Sequence, residues 1–205
     1  MAPLVHALDA SPGFGSLVCV TAQHREMLDQ VLKIFEIQPD IDLNLMRQGQ
    51  DLFEVTSSVL SGMKKVLQEV KPDAVLVHGD TTTAMATAMA GFYTGIPVGH
   101  VEAGLRTHDL RAPFPEEFNR QVVGRVARWH FAPTEQSRQN LLAERVPSEH
   151  IHVTGNTVID SLFWVLQRME ADPERKGRVE SLVNQKLSFD WWSERFVLIT
   201  GHRRE

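Results

Sequence analysis

The sequence predicts an α/β fold, a parallel sheet with helices on both faces. Three observations carry that prediction. Short β-branched or aliphatic runs alternate with longer segments of helical period, which is the pattern of βαβ units. The runs are apolar enough to be covered on both sides, as strands of a parallel sheet are. Two acids, Asp80 and Glu102, each stand just past one of these runs, at the carboxyl edge where ligands of open parallel sheets collect. With 205 residues and 42% hydrophobic content the chain can bury a real core, and its length accommodates one full domain and part of another.

The elements follow in order. "MAPLVHALDA" reads as the middle of a first helix with no strand before it. Apolar runs place strands at 17–21, 74–78, 97–101, 129–131, 151–154 and 196–200. Segments of helical period place helices at 26–35, 52–70, 82–93, 116–127, 135–144 and 158–168. Residues 169–195 are polar, charged and interrupted by Pro173 and Gly177, so they read as a link between two units. A new strand then begins at Phe196 and the sequence stops in "GHRRE", so both ends look cut.

Charge and composition exclude several classes. A net charge of -5 and the lack of any Lys/Arg run argue against nucleic acid as a partner. Cys19, the single cysteine, excludes an internal disulfide, and in "SLVCVTA" it reads as a buried packing residue. The apolar runs fall short of the ~20 residues that span a bilayer, and the N-terminus has no charged region followed by an apolar stretch. A cytoplasmic protein is the expectation.

Three acidic sites lie in the loops and helix starts that follow the strands at 74–78 and 97–101. In "GDTTTA" either Asp80 or Thr81 could cap the following helix. In "HVEAGLR" Glu102 is a poor cap, and an acid leaving a buried strand beside Gly104 is costly to desolvate unless it has partners. In "APFPEEFNR" Pro115 followed by Glu116 and Glu117 matches a helix start, where carboxylates favour the positive end of the dipole. Three such sites converging on one crevice permit one carboxyl to stay ionised while another holds a proton, the division that general acid and base work needs. His202, Arg203 and Arg204 follow the last strand, where a helix N-terminus would bind phosphate. The other histidines, His150 and His152 among them, have no metal spacing, and no G-x-G-x-x-G turn is present.

Six motifs taken together, "CVTAQHREMLDQVL", "KPDAVLVHGDTTTAMATAMAGFYTGIPVGHVEAGLRT", "PFPEEFNR", "HFAPTEQSRQNLL", "VTGNTVIDSL" and "LITGHRRE", resemble the bacterial non-hydrolysing UDP-N-acetylglucosamine 2-epimerases, over almost all of the chain. The resemblance implies a glycosyltransferase-B-like fold of two Rossmann-like domains with the substrate between them. It implies interconversion of UDP-N-acetylglucosamine and UDP-N-acetylmannosamine, with no cofactor, NAD or metal, for cell-surface polysaccharide precursors. UDP is eliminated to a 2-acetamidoglucal and re-added, with the C2 proton returned to the other face. The implied active-site acids are Asp80, Glu102 and Glu116, and His202 with Arg203 would meet the nucleotide diphosphate. Full-length members are expected to be homodimers.

On the same resemblance, residues 1–168 form a Rossmann-like domain lacking its first strand, 169–195 a linker, and 196–205 the start of a second nucleotide-binding domain. A preceding Gly-Thr-Arg-Pro-Glu-Ala-Ile-Lys-like segment is missing, and this chain alone is expected not to epimerise. The alternatives are a glycosyltransferase of the same fold class and a non-catalytic binding or dimerisation module.

Overall fold

The computed structural model describes residues 1–200 apart from Gln23, His24, Met46 and Gln48. The expected diphosphate contacts His202 and Arg203 lie outside the described residues. The chain divides into two units, Met1–Thr157 and Val158–Glu205.

The first unit contains α1 (Ala2–Asp9), β1 (Cys19–Val20), α2 (Arg25–Ile34), β2 (Ile41–Asp42), α3 (Leu52–Val70), β3 (Val75–His78), α4 (Thr82–Thr94), β4 (Val98–Val101), α5 (Glu116–Val126), β5 (Trp129–Ala132), α6 (Glu135–Ala143) and β6 (Ile151–Val153). A single 3-10 turn at Ser148–His150 leads into β6. All strand pairs are parallel, with β3, β4, β5 and β6 side by side in chain order. Helices α4, α5 and α6 make the crossovers between them. Strands β1 and β2 form a separate parallel pair.

Helix α3 is the common floor of the two sheets. Asp51 caps it with a reciprocal box to Glu54. Val55, Val59, Met63, Val66 and Leu67 fall on one face at helical spacing and are buried. That face packs Ala86 and Ala90 of α4 and takes Cys19 and Ile41 from one sheet and Val75 from the other. Cys19 is therefore a packing residue, half-buried with its sulfur 4.0 Å from Met63 Sδ, and burial followed by the Asp42 charge pushes its thiol pKa up. The small-residue run of α4 has a steric cause. Ala84, Ala86, Ala88, Ala90 and Gly91 are buried, and a Cβ on Gly91 would stand 2.7 Å from Val98 Cγ2.

The second unit adds a helix within the segment read as a link and corrects one expectation, the strand at 196–200. Residues 173–186, expected to be part of a linker, are a helix, α8 (Pro173–Lys186), which follows α7 (Thr157–Ala171). Pro173 read as a breaker, yet it sits in the first turn behind the Asp172 cap, where proline loses no hydrogen bond. Residues 196–200 are not a strand. A strand exists only through a paired neighbour, and Val197, Leu198 and Ile199 are exposed, with no ladder among the described residues.

Two buried histidines make the fold sensitive to acid. His100 and His130 are register partners on β4 and β5, and His100 Nε2 donates to the Gly79 carbonyl at 2.8 Å. Burial lowers the pKa of each from 6.5 to about 4, against the opposing carbonyl bonds from Gly79 and Ala127. A folded pKa below the unfolded one means that the unfolded chain binds the extra protons. The stability these residues confer is therefore full above pH 6.5 and is lost as pH falls towards 4. Each proton contributes about 1.4 kcal/mol per pH unit. Urea unfolding between pH 7 and 4.5 should show a shallower pH slope for His100→Gln than for the wild type; identical slopes would contradict this.

Candidate active site

The parallel arrangement brings the exits of β3 and β4 to one edge, with the first turn of α5 against them. Strand β3 ends at His78, the chain turns at Gly79 with φ +68, and Asp80 follows. The helix cap is Thr81, whose hydroxyl oxygen accepts from Ala84 N at 3.1 Å. The Asp80 carboxylate goes instead to Arg120, with Oδ2 2.9 Å from Nη2. Its carbonyl accepts from Asn119 Nδ2 at 2.8 Å.

Glu102 leaves β4 in a left-handed conformation, φ 66, which costs a residue with a Cβ about 1–2 kcal/mol. The backbone is fixed on either side of it. Val101 O accepts from Gly79 N at 2.9 Å, and Ala103 N donates to Phe131 O at 3.0 Å, so the sheet turns Glu102 outward as a single strained residue. Its carboxylate lies beside Gly79, and Oε2 is 3.4 Å from His78 Nε2. Burial raises the Glu102 pKa first and Asp80 second, against Arg120 and the Met1 amine. Burial, then the Met1 amine, lowers His78 to about 4. At neutral pH the imidazole is uncharged, so this approach is a contact between a carboxylate and a neutral ring rather than an ion pair.

Helix α5 starts at Glu116, as Pro115 implies. The two acids of its first turn part company. Glu116 is half-buried with Oε2 out of solvent, while Glu117 is fully buried. Glu117 accepts from Thr107 N at 3.1 Å, His108 N at 3.3 Å and Gln121 Nε2 at 2.8 Å, so it fastens the loop after β4 to α5. Burial pushes its pKa up, and these bonds with the Arg120 charge outweigh that, holding it below the usual carboxylate range.

The rest of "VEAGLR" is structural. A Cβ at Gly104, φ +88, would meet Ser137 O at 2.3 Å, and Asn140 Nδ2 donates to the Gly104 carbonyl at 2.9 Å. Arg106, its side chain fully buried, makes a two-pronged bond to Glu144 at 2.6 and 3.0 Å.

Asp80 and Glu102 are therefore in one electrostatic cluster, with Arg120 between charges and Glu116 one helical turn before Arg120. The residues that sequence reasoning missed are His78, Asn119 and Arg120. Their signal was present: Glu116, Asn119 and Arg120 have the i, i+3, i+4 spacing of one helix face. Among the described residues no group of three or more His, Cys, Asp or Glu could hold a metal ion, and no helix is long and apolar enough to cross a membrane. A cleft of about 180 Å³ lined by His6, Asp9, Glu36 and Asp40 contains none of the candidate acids.

A parallel sheet with crossover helices and a carboxylate cluster at its carboxyl edge defines a Rossmann-like α/β protein. The chain belongs to the UDP-N-acetylglucosamine 2-epimerase family, whose sequence pattern it matches over residues 6–205. It is 60% identical over 205 residues to the UDP-N-acetylglucosamine 2-epimerase of Yersinia pestis, covering 100% of this chain and 54% of that protein. The crystal structure of UDP-GlcNAc 2-epimerase from Neisseria meningitidis bound to UDP-GlcNAc superposes with a TM-score of 0.85 at 50% identity, over 92% of this chain and 51% of that one. The Methanocaldococcus jannaschii UDP-GlcNAc 2-epimerase in complex with UDP-GlcNAc and UDP gives a TM-score of 0.80 at 33% identity, over 88% and 49%. The chain spans about half the length of the relatives it matches.

Proposed function

We propose that this chain supplies the proton-handling acids of a UDP-N-acetylglucosamine 2-epimerase. The observation that carries the reading is the placement of Asp80 and Glu102 in one cluster at the carboxyl edge, in a member of that family. Epimerising C2 requires a base to take its proton and an acid to return one to the other face, while UDP departs and rejoins. Two carboxyls in unlike surroundings suit that work: Asp80 beside a guanidinium, and Glu102 partly buried beside a neutral imidazole with its pKa raised. Glu116, with an oxygen out of solvent at the first turn of α5, is the third acid of the proposal.

UDP-N-acetylglucosamine as substrate, UDP as the leaving group, a homodimer, a cytoplasmic setting and the diphosphate role of His202 and Arg203 belong to the same proposal. So does the domain plan of 1–168, 169–195 and 196–205, with the first of these bearing the acids.

The test is a chimera in which the chain replaces the matching segment of the Yersinia protein. Proton NMR should show UDP-N-acetylmannosamine forming from UDP-N-acetylglucosamine with no acceptor added. UDP release that depends on an added acceptor sugar, with no epimer formed, would instead support transfer chemistry and defeat the proposal.

A further inference from the structure

Asp80 sits in a two-residue turn, and α5 grips that turn at two adjacent points. Asn119 donates to its backbone carbonyl at 2.8 Å, and Arg120 bonds its carboxylate at 2.9 Å. Arg120 is itself held. Its side chain is 11% exposed, with Nε 3.5 Å from the fully buried Glu117 carboxylate. The same Nε lies 3.3 Å from the carbonyl of Glu116. One end of the planar guanidinium thus lies on Asp80, and the other lies on the turn of α5 that begins with Glu116.

We propose that Arg120 is a positioning residue, which fixes the Asp80 carboxylate of the β3 loop relative to Glu116 at the start of α5. Two groups that handle protons at one carbon must each come within about 2.6–3.2 Å of their proton's partner atom. They stand on different elements, so their separation is set by whatever joins those elements. Arg120 is suited to this because its five donors lie in one rigid plane; a lysine ammonium at the same place keeps the charge and cannot span both ends. The inference rests on the epimerase reading for its effect on turnover and on the fold alone for the clamp.

The two parts are tested separately. In the 205-residue chain, unfolding equilibria of Asp80→Asn, Arg120→Gln and the double variant report the clamp. The effect of Arg120→Gln on the folding constant should shrink at least about fivefold when Asp80 is already Asn. Additive effects overturn the clamp, and Arg120→Lys serves in its place if Arg120→Gln does not fold. In the chimera Arg120→Gln should lower kcat by ~10²-fold, the scale of a misplaced reacting group, with KM and UDP affinity unchanged. Arg120→Lys should recover about tenfold of that loss. An undiminished kcat, or a loss appearing in KM and UDP affinity as a direct phosphate contact would give, overturns the positioning role. An inactive wild-type chimera counts against the epimerase reading instead, and the unfolding cycle still decides the clamp.

Discussion

Replacing Glu102 by Gln in the chimera is expected to lower kcat by ~10²–10⁴-fold, the range for removing a general acid or base. The substitution keeps the volume and the polar contacts and removes the titration. Because the carboxylate lies beside His78, whose imidazole is neutral at pH 7, no ion pair is lost and the fold should be nearly unaffected. Glu102→Gly separates the two roles of the position further. With φ at 66 the residue is strained, so glycine should stabilise the chain by ~1 kcal/mol while abolishing turnover. A Glu102→Gln chimera with wild-type kcat would remove Glu102 from the chemistry. A Glu102→Gly chain of lowered melting temperature would mean that the side chain holds the loop.

Gly104→Ala is expected to be the most damaging single methyl in the first unit, at about 4 kcal/mol or more. Its Cβ would stand 2.3 Å from Ser137 O and 2.8 Å from the Ser137 carbonyl carbon, which are backbone atoms of α6 that cannot rotate away. The left-handed φ of +88 adds its own cost. Gly155→Ala is the control. There φ is +79 but nothing lies within 4 Å of the added carbon, so only the conformational penalty of about 1–2 kcal/mol should appear. Denaturant midpoints for the two variants should differ accordingly. Similar midpoints would mean that α6 shifts to accommodate the methyl, and the tight seat of the strand β4 exit would not stand.

The sequence made some of this legible and hid the rest for physical reasons. Helix α3 ends where its periodicity ends, because a capping box and a left-handed Lys71 mark its bounds locally. Strand β2 is two residues long and is defined by its pairing with β1, which local pattern does not encode. Pro173 misled because proline is a breaker inside a helix and a fit residue in its first turn. At the site, Asp80 and Glu102 stood out as acids at strand ends. What made their surroundings differ did not: Arg120 reaches Asp80 across 39 to 40 positions of chain, as does Asn119, and such a pairing exists only once β3 and α5 are docked. The strain at Glu102 was equally hidden, since nothing in "VEAG" announces a left-handed glutamate.

If carboxyl groups at this edge move the C2 proton, the chimera run in D₂O should carry solvent hydrogen into that position. Proton NMR and mass spectrometry of the equilibrated mixture should find deuterium at C2 of both UDP-N-acetylglucosamine and UDP-N-acetylmannosamine, because the proton returned to C2 comes from a different carboxyl group than the one that took the first, and that group exchanges with solvent between turnovers. Epimer formed with protium retained at C2 would contradict that role.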